Sequence, residues 1–394
     1  MKPLISTSEA TELIQSSIVS VESEQVLLEN ALDRILAENI TADRDAPPFD
    51  RVMMDGICLH SSQWEEGSWR YKIIGTQAAG EERKILPKGE FCLEVMTGAT
   101  LPQDADCIIP VEQIDILDGY ALPHDGIEVE AQRFIHKKGS DSKQGDILLT
   151  AGTRLGAAEL AIAASAGKTE LSVSRLPKLH LLTTGDEVIG PSETPTDFQI
   201  RRSHPAAIHA LIKSNTLGTL TDEHLLDDEQ AIEQAIASAL KNNDALILTG
   251  GISMGKFDWV APLLEKLLGE PTFHGVAQRP GKPFAFWKST DTTPAVFALP
   301  GNPASVMATM HRYVIPALRQ MSGEKHIPRT ALLAENFTWD FPLTGFIPYR
   351  LENGQAKLYS TRNSGDYIAL AGTNGFAEIP PQSNLAEGYA VDLY

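Results

Sequence analysis

The sequence predicts a multidomain α/β protein. It has a central, doubly wound, mostly parallel α/β domain, an inserted β-rich N-terminal domain and a C-terminal β domain of barrel-like type. Three observations predict this. Strand and helix patterns alternate from residue 177 to residue 319, which puts helices on both faces of one sheet. Short apolar runs broken by Gly and Pro fill residues 44–133 and return after residue 327. The chain has 394 residues, too many for one ordinary core, so about two to four domains are needed.

The expected domains are residues 1–43 with 134–174, an insertion at 44–133, the α/β domain at 175–324 and the last β domain at 325–394. Residues 8–19 and 27–40 read as helices, the second because Leu27, Leu28, Ala31, Leu32, Ile35 and Leu36 recur at helical spacing. Pro47 and Pro48 end that pattern. Residues 71–74, 91–95, 107–111 and 127–129 read as strands, and 157–166 as a helix. In the central domain, 179–183, 245–248 and 294–299 read as strands. Helices are expected at 205–214, with Pro205 in the first turn, and at 228–241, acidic at its start and closed by Lys241. Two more are expected at 259–268 and 304–318.

Acidic residues number 52 and basic ones 33, a net charge of −19. That sign repels nucleic acid and anionic membrane surfaces, so neither is an expected partner. An anionic ligand must then be held by a local positive site. Cys58, Cys92 and Cys107 have no metal-site spacing and read as reduced, buried thiols. The first residues carry no apolar run, and no stretch reaches the length of a membrane span. A cytoplasmic location is expected.

Three strand-to-helix loops carry the chemistry. They are Thr183-Thr184-Gly185-Asp186-Glu187, then Thr249-Gly250-Gly251-Ile252-Ser253-Met254-Gly255 with Asp258 beyond, then Leu299-Pro300-Gly301-Asn302-Pro303. On one parallel sheet they open at the same carboxyl edge, where ligands of such folds bind. Gly250 and Gly251 let backbone N–H groups approach a phosphate, and Ser253 can donate to it. A bare Gly-Gly is equally a tight turn, but the spacing G-G-x-S-x-G-x-x-D is restrictive. Arg279-Pro280-Gly281-Lys282-Pro283 brings two cations onto one rigid turn, where they can converge on a tetrahedral oxyanion. Asp186, Glu187 and Asp258 lie beside the phosphate loops and suit a magnesium ion or, alternatively, helix N-caps.

These stretches, taken with P-P-F-D-x-x-x-M-D-G around Asp55, M-T-G-A around Thr97, K-K-G-S-D, R-P-G-K-P-F-A-F and L-P-G-N-P-A-S, resemble the molybdopterin molybdenumtransferase family, the MoeA type of bacteria and the E domain of gephyrin. The resemblance spans essentially the whole chain. It implies a molybdopterin-binding central domain and an elongated homodimer. It implies magnesium-dependent cleavage of adenylyl-molybdopterin, insertion of molybdate at the dithiolene and release of AMP. A transient contact with a molybdopterin adenylyltransferase is also implied. On the resemblance, Asp55, Thr97, Glu187, Arg279 and Lys282 are catalytic. Thr184, Gly185, Gly250, Gly251, Ser253, Gly255, Pro283, Pro300, Gly301 and Asn302 bind substrate, with Arg350 and Ser364 near the molybdate. Asp186, Glu187 and Asp258 hold the metal.

The chain departs from the family pattern in places. Val52 and Ile57 stand where the family has a hydroxyl and a Tyr. Ile200-Arg201-Arg202-Ser203-His204 replaces I-Y-D-[ST]-N, and Arg279 replaces the first Lys of K-P-G-K-P. The first two changes support an alternative, a MoeA-like paralogue that carries molybdopterin or its cofactor without turnover. A third reading, adenylylation of molybdopterin, shares the G-G-x-[ST]-x-G loop. The extra N-terminal and C-terminal domains argue against it.

Overall fold

Leu179, Leu181 and Leu182, the run from Ala245 to Leu248 and the run from Ala295 to Leu299 are almost wholly buried, so their strands need cover on both faces. The computed structural model describes residues 3–64, 70–251, 259–290, 292–324, 329–361 and 363–394. In it these runs lie in one six-stranded sheet, ordered Thr219–Leu225, Lys178–Thr184, Ala245–Thr249, Ala295–Leu299, Ala285–Trp287, Phe273–His274. The first four strands are parallel. Ala285–Trp287 alone turns back, running antiparallel to both its neighbours.

Alternate strand residues enter two cores. Leu179, Leu181, Ile247 and Phe297 pack with Ile208, Ile212, Val306 and Val314, and with Ala10 and Ile14 of the N-terminal helix Thr7–Gln15. Leu182, Leu246, Leu248 and Val296 pack with Ile232, Ile236, Leu263 and Leu264 on the other face. The sheet is therefore covered on both sides, as a doubly wound fold requires. Asp228 caps the helix Glu229–Asn242 by accepting from the Ala231 N–H.

The chain divides into two compact units: residues 39–150 with 157–169, and residues 1–38, 151–156 and 170–394. The first unit holds a second six-stranded sheet, ordered Cys107–Pro110, Gly56–Leu59, Phe91–Val95, Tyr71–Gln77, Tyr120–Pro123, Ile114–Leu117. All three cysteines are buried there. Burial pushes each thiol up to about 12, so they stay protonated and inert.

The second unit also contains the C-terminal sheet. Thr344–Glu352 is its central strand, flanked by Gln355–Leu358 and Gly375–Ile379. Ala390–Leu393 and Arg329–Leu332 continue the path. A bridge from Leu333 to Ala356 then returns it to its start, so the sheet curls into a barrel. One strand of this sheet comes from the α/β segment. Gln278–Arg279 runs parallel to Thr344–Glu352, with Arg279 opposite Gly345. The largely buried Arg312–Glu378 ion pair, at 2.9 Å, joins the helical stretch 303–321 to the same barrel.

Several local expectations are corrected. Residues 27–40 do not form a helix. The strand Ser23–Leu27 pairs with Glu170–Ser174, and the Asp33, Leu36 and Ala37 N–H groups donate to Leu155, Thr153 and Ser172 carbonyls. Long-range pairing overrides the helical periodicity, and Leu27 and Leu32 are left about half exposed. No strand forms at 127–129. A hairpin, Ile114–Leu117 with Tyr120–Pro123, precedes it, turning on Asp118 and Gly119, both at positive φ. The segment 304–318 contains a π-helical turn at Met310–Val314 between Pro303–Thr309 and Ile315–Met321. No helix of the described residues is long and apolar enough to cross a membrane.

Candidate active site

The parallel register sets Thr183 beside Thr249 and Thr249 beside Leu299. The three loops therefore leave the sheet at one level. Gly250 N–H donates to the Leu299 carbonyl at 3.4 Å, and Gly250 and Gly251 both take positive φ. A Cβ on Gly251 would lie 2.6 Å from Val260 Cγ2 and 3.2 Å from Thr184 Oγ1. Only glycine fits this crossing.

Above it lies a pocket of about 120 Å³, lined in part by Thr184, Glu187, Arg201, His204, Thr249, Gly250 and Gly301. The Glu187 carboxylate folds back over Gly185, where a Cβ would meet Oε2 at 2.7 Å. Arg202 is paired with Asp222 at 3.3 Å. Arg201 Nε donates to the Glu193 carbonyl, and among the described residues no carboxylate pairs with it. His204 lies 3.3 Å from Thr249 Oγ1 through Nδ1 and packs edge-on to Tyr367. Burial lowers its pKa below 6.5, so it is neutral at pH 7.

A larger pocket of about 620 Å³ opens on the other side of the same loop. Gly301 and Pro303 line the small pocket, and Asn302 between them lines the large one. Arg279, Gly281, Lys282, Pro283, Ser305, Trp339, Phe341 and Ser364 are also on its wall. The cationic turn is fixed from beneath. Gln278, fully buried, accepts from Tyr313 Oη at 2.6 Å and donates to the Pro280 carbonyl at 3.0 Å. Gly281 has φ +94°, and a Cβ there would lie 2.5 Å from Gln278 Nε2. The Ala304 N–H donates to the Ser364 carbonyl at 2.9 Å, tying the barrel's loop to the helix that starts at Pro303. Among the described residues, neither Arg279 nor Lys282 has a carboxylate partner. Two uncompensated cations on a wall that also carries Asn302 and Ser364 are the donor types that a tetrahedral oxyanion takes.

Other expected residues are placed elsewhere. Asp55 and Thr97 meet each other in the β-rich unit. Asp55 Oδ1 accepts from the Thr97 N–H at 2.6 Å and its hydroxyl at 2.8 Å. Those two bonds, the backbone one first, hold the Asp55 carboxyl below the usual carboxylate range. The M-D-G glycine is required there, since a Cβ on Gly56 would lie 2.0 Å from the Ile109 carbonyl oxygen. Pro300 is buried at the end of its strand. Arg350 is not on either pocket wall. It donates to the Ala371 carbonyl at 2.8 Å and stacks on Tyr359. Asp186 Oδ1 accepts from the Asp227 N–H at 3.0 Å and does not line the small pocket. Ser253, Gly255 and Asp258 lie outside the described residues. Among the described residues no group of three His, Cys, Asp or Glu side chains is placed to hold a metal ion.

Sequence reasoning missed the aromatic wall, Trp339 and Phe341, and missed His204 as a pocket residue. No local motif marks the first two. They reach the site only through the pairing of Gln278–Arg279 with the barrel.

Comparison with known proteins gives a consistent picture. Residues 5–167 match the family model described as MoeA N-terminal region (domain I and II). Residues 180–320 match that of a probable molybdopterin binding domain, and residues 330–394 that of the MoeA C-terminal region (domain IV). A molybdopterin molybdenumtransferase of Synechocystis sp. is 35% identical, covering 99% of this chain and 100% of that one. One from Bacillus subtilis is 31% identical over 91% of this chain and 86% of the relative. A solved molybdopterin biosynthesis moeA protein of Pyrococcus horikoshii OT3 superposes over 100% of both chains, with TM-score 0.85 and 26% identity.

Proposed function

The chain belongs to the molybdopterin molybdenumtransferase family; on that premise we propose that it cleaves adenylyl-molybdopterin and inserts molybdate at the dithiolene, releasing AMP. The observation that carries this reading is the pair of pockets sharing one loop. The small one offers backbone and Thr184 to a phosphate-bearing group, and the large one offers Arg279 and Lys282 to a second oxyanion. Molybdate is that oxyanion, as substrate. No nucleophilic triad is needed. Fixed donors and cations lower the barrier by stabilising charge where it develops.

A divalent cation fits the donor chemistry of the small pocket. Magnesium takes one or two carboxylates and otherwise uses phosphate oxygens and water, and Glu187 supplies a carboxylate on that wall. Glu187 would hold the ion, with Asp258 as the sequence expects. Bound there, the ion would neutralise phosphate charge. Lys282 and Arg279 orient molybdate, and neutral His204 bounds the pocket beside Thr249 without adding charge. A homodimer and a transient contact with a molybdopterin adenylyltransferase belong to the same reading. Sedimentation at micromolar concentration tests the dimer.

The decisive assay supplies adenylyl-molybdopterin, magnesium and molybdate, and follows AMP and cofactor. Molybdate-dependent cofactor formation with stoichiometric AMP is the expected result, and no AMP above background overturns it. The carrier alternative rests on Arg201, a cation on the wall of the small pocket. Tight binding with no turnover would favour it.

A further inference from the structure

Resting on the oxyanion reading of the large pocket, we propose that Phe341 is a positioning residue that presets the guanidinium of Arg279 for the oxyanion. The Arg279 guanidinium carbon lies 4.0 Å above the centre of the Phe341 ring. That is well inside cation–π range. A guanidinium stacked face-on to a ring keeps its N–H edge for donation. Among the described residues no carboxylate takes that edge, and the pocket shared with Lys282 is where it can act.

The ring is itself held. Phe341 packs on Trp339 at 4.8 Å between centroids, and its carbonyl accepts from the Gln382 N–H at 3.0 Å. Trp339 Nε1 donates to the Leu343 carbonyl at 2.7 Å. The indole lies against Gly345, where a Cβ would come 2.8 Å from Trp339 Cε2. Gly345 is the residue opposite Arg279 in the parallel pair. Backbone pairing and side-chain stacking thus close a ring from Arg279 through Phe341, Trp339 and Gly345 back to Arg279. Phe341 stays 40% exposed, on the wall of the pocket that also carries Arg279 and Lys282. Arginine suits this arrangement because its planar fork stacks and donates at once, whereas a lysine ammonium is a point charge.

The test is steady-state kinetics on the full chain with molybdate varied. Phe341→Leu is expected to raise KM for molybdate about fivefold, within the range that loss of a cation–π contact allows, with kcat within about twofold of wild type. Phe341→Tyr restores the stack and is expected to restore KM. In an Arg279→Lys background, which has no guanidinium plane to preset, Phe341→Leu is expected to change KM by less than about twofold. An unchanged KM in Phe341→Leu, or an equal effect in the Arg279→Lys background, overturns the positioning role. Lys282→Ala run in parallel separates the two levels. If Lys282→Ala weakens molybdate use and Phe341→Leu does not, only the role of Phe341 fails. If neither does, the oxyanion reading of the pocket fails with it. Thermal melts of each variant show whether any change in KM reflects folding.

Discussion

Around the small pocket, Gly250, Gly251 and Gly301 bring backbone to the surface at the ends of two neighbouring parallel strands, Ala245–Thr249 and Ala295–Leu299. Around the large pocket, Arg279, Lys282, Phe341 and Trp339 bring long side chains from a turn and a barrel 60 residues apart in sequence. The first site is formed by what is missing, above all a Cβ at Gly251, where one would lie 2.6 Å from Val260 Cγ2. The second is formed by what is present, two cations and two rings. Backbone sites are fixed by the sheet itself. Side-chain sites need supports, and here those supports are Gln278 with Tyr313 beneath, and Phe341 with Trp339 alongside. A third pocket, of about 330 Å³, lies at the opposite edge of the sheet. Its Arg175 is held in a bidentate pair with Asp244, whereas Arg279 of the large pocket has no carboxylate partner among the described residues.

The difference predicts which changes hurt chemistry and which hurt folding. Lys282→Ala takes a charge from the side-chain site and leaves its supports alone. Turnover is expected to fall by about a hundredfold or more, the scale seen when one fixed charge-stabilising donor is lost, with the melting temperature nearly unchanged. AMP release per enzyme, measured with saturating adenylyl-molybdopterin, checks it. A Lys282→Ala enzyme with normal turnover would remove the large pocket from the chemistry.

Gly251→Ala attacks the backbone site instead. The new Cβ has to sit at φ +66° and 2.6 Å from Val260 Cγ2. A left-handed alanine costs roughly 1–2 kcal/mol before any clash is counted, so stability is expected to drop by about 2 kcal/mol and phosphate-side binding to weaken with it. Denaturant unfolding gives the first quantity, and equilibrium binding of AMP the second. Intact stability would mean that the crossing is looser than its glycines imply.

Tyr313→Phe probes a support of the other pocket. It removes the 2.6 Å bond to Gln278 and leaves a buried amide oxygen without that donor. The expected loss is about 1 kcal/mol of stability, together with a rise in KM for molybdate as the Arg279–Lys282 turn loosens. If KM holds steady while stability falls, Gln278 supports the core only and not the turn.

The same contrast explains what the sequence made legible. Glycines after apolar strands are local signals, so the small pocket could be read from Thr184, Gly250 and Gly301 alone. The cationic turn was equally local. Its aromatic wall was not, because Phe341 and Trp339 join it through a strand pairing of Gln278–Arg279 that no periodicity announces. The strand Thr219–Leu225 also escaped, since an edge strand reading TLTDEHL carries too little apolar character to stand out. The helix expected at 27–40 failed for the opposite reason. Its periodicity is real, but backbone pairing with residues 153–155 and 170–174 is stronger. The Asp118-Gly119 turn was a signal present and unused, a two-residue hairpin pattern that marks the strands on either side of it.

The smallest expected effect concerns the one titrating side chain on the wall of the small pocket that carries a resolved shift. His204 is half-buried against Thr249 and Tyr367, and desolvation holds its pKa below 6.5. The sign follows from proton linkage. The unfolded chain binds a proton at His204 as pH falls through about 6.5, and the folded protein resists it. His204 therefore destabilises the fold as pH drops below about 6.5, down to the folded value, and contributes no pH dependence above. Tyr367→Ala exposes the imidazole to water and is expected to move its midpoint up toward the ordinary value, flattening that part of the stability profile. A proton-detected titration of the His204 ring checks the midpoint, and melts between about pH 5 and pH 7 check the slope. The comparison is sharpened by where the effect should appear. Tyr367→Ala is expected to shift His204 without changing KM for molybdate, because the ring bounds the small pocket and Arg279 and Lys282 belong to the other. A change in molybdate KM in Tyr367→Ala would show that the loop at Gly301-Asn302-Pro303 couples the two pockets and does not merely separate them.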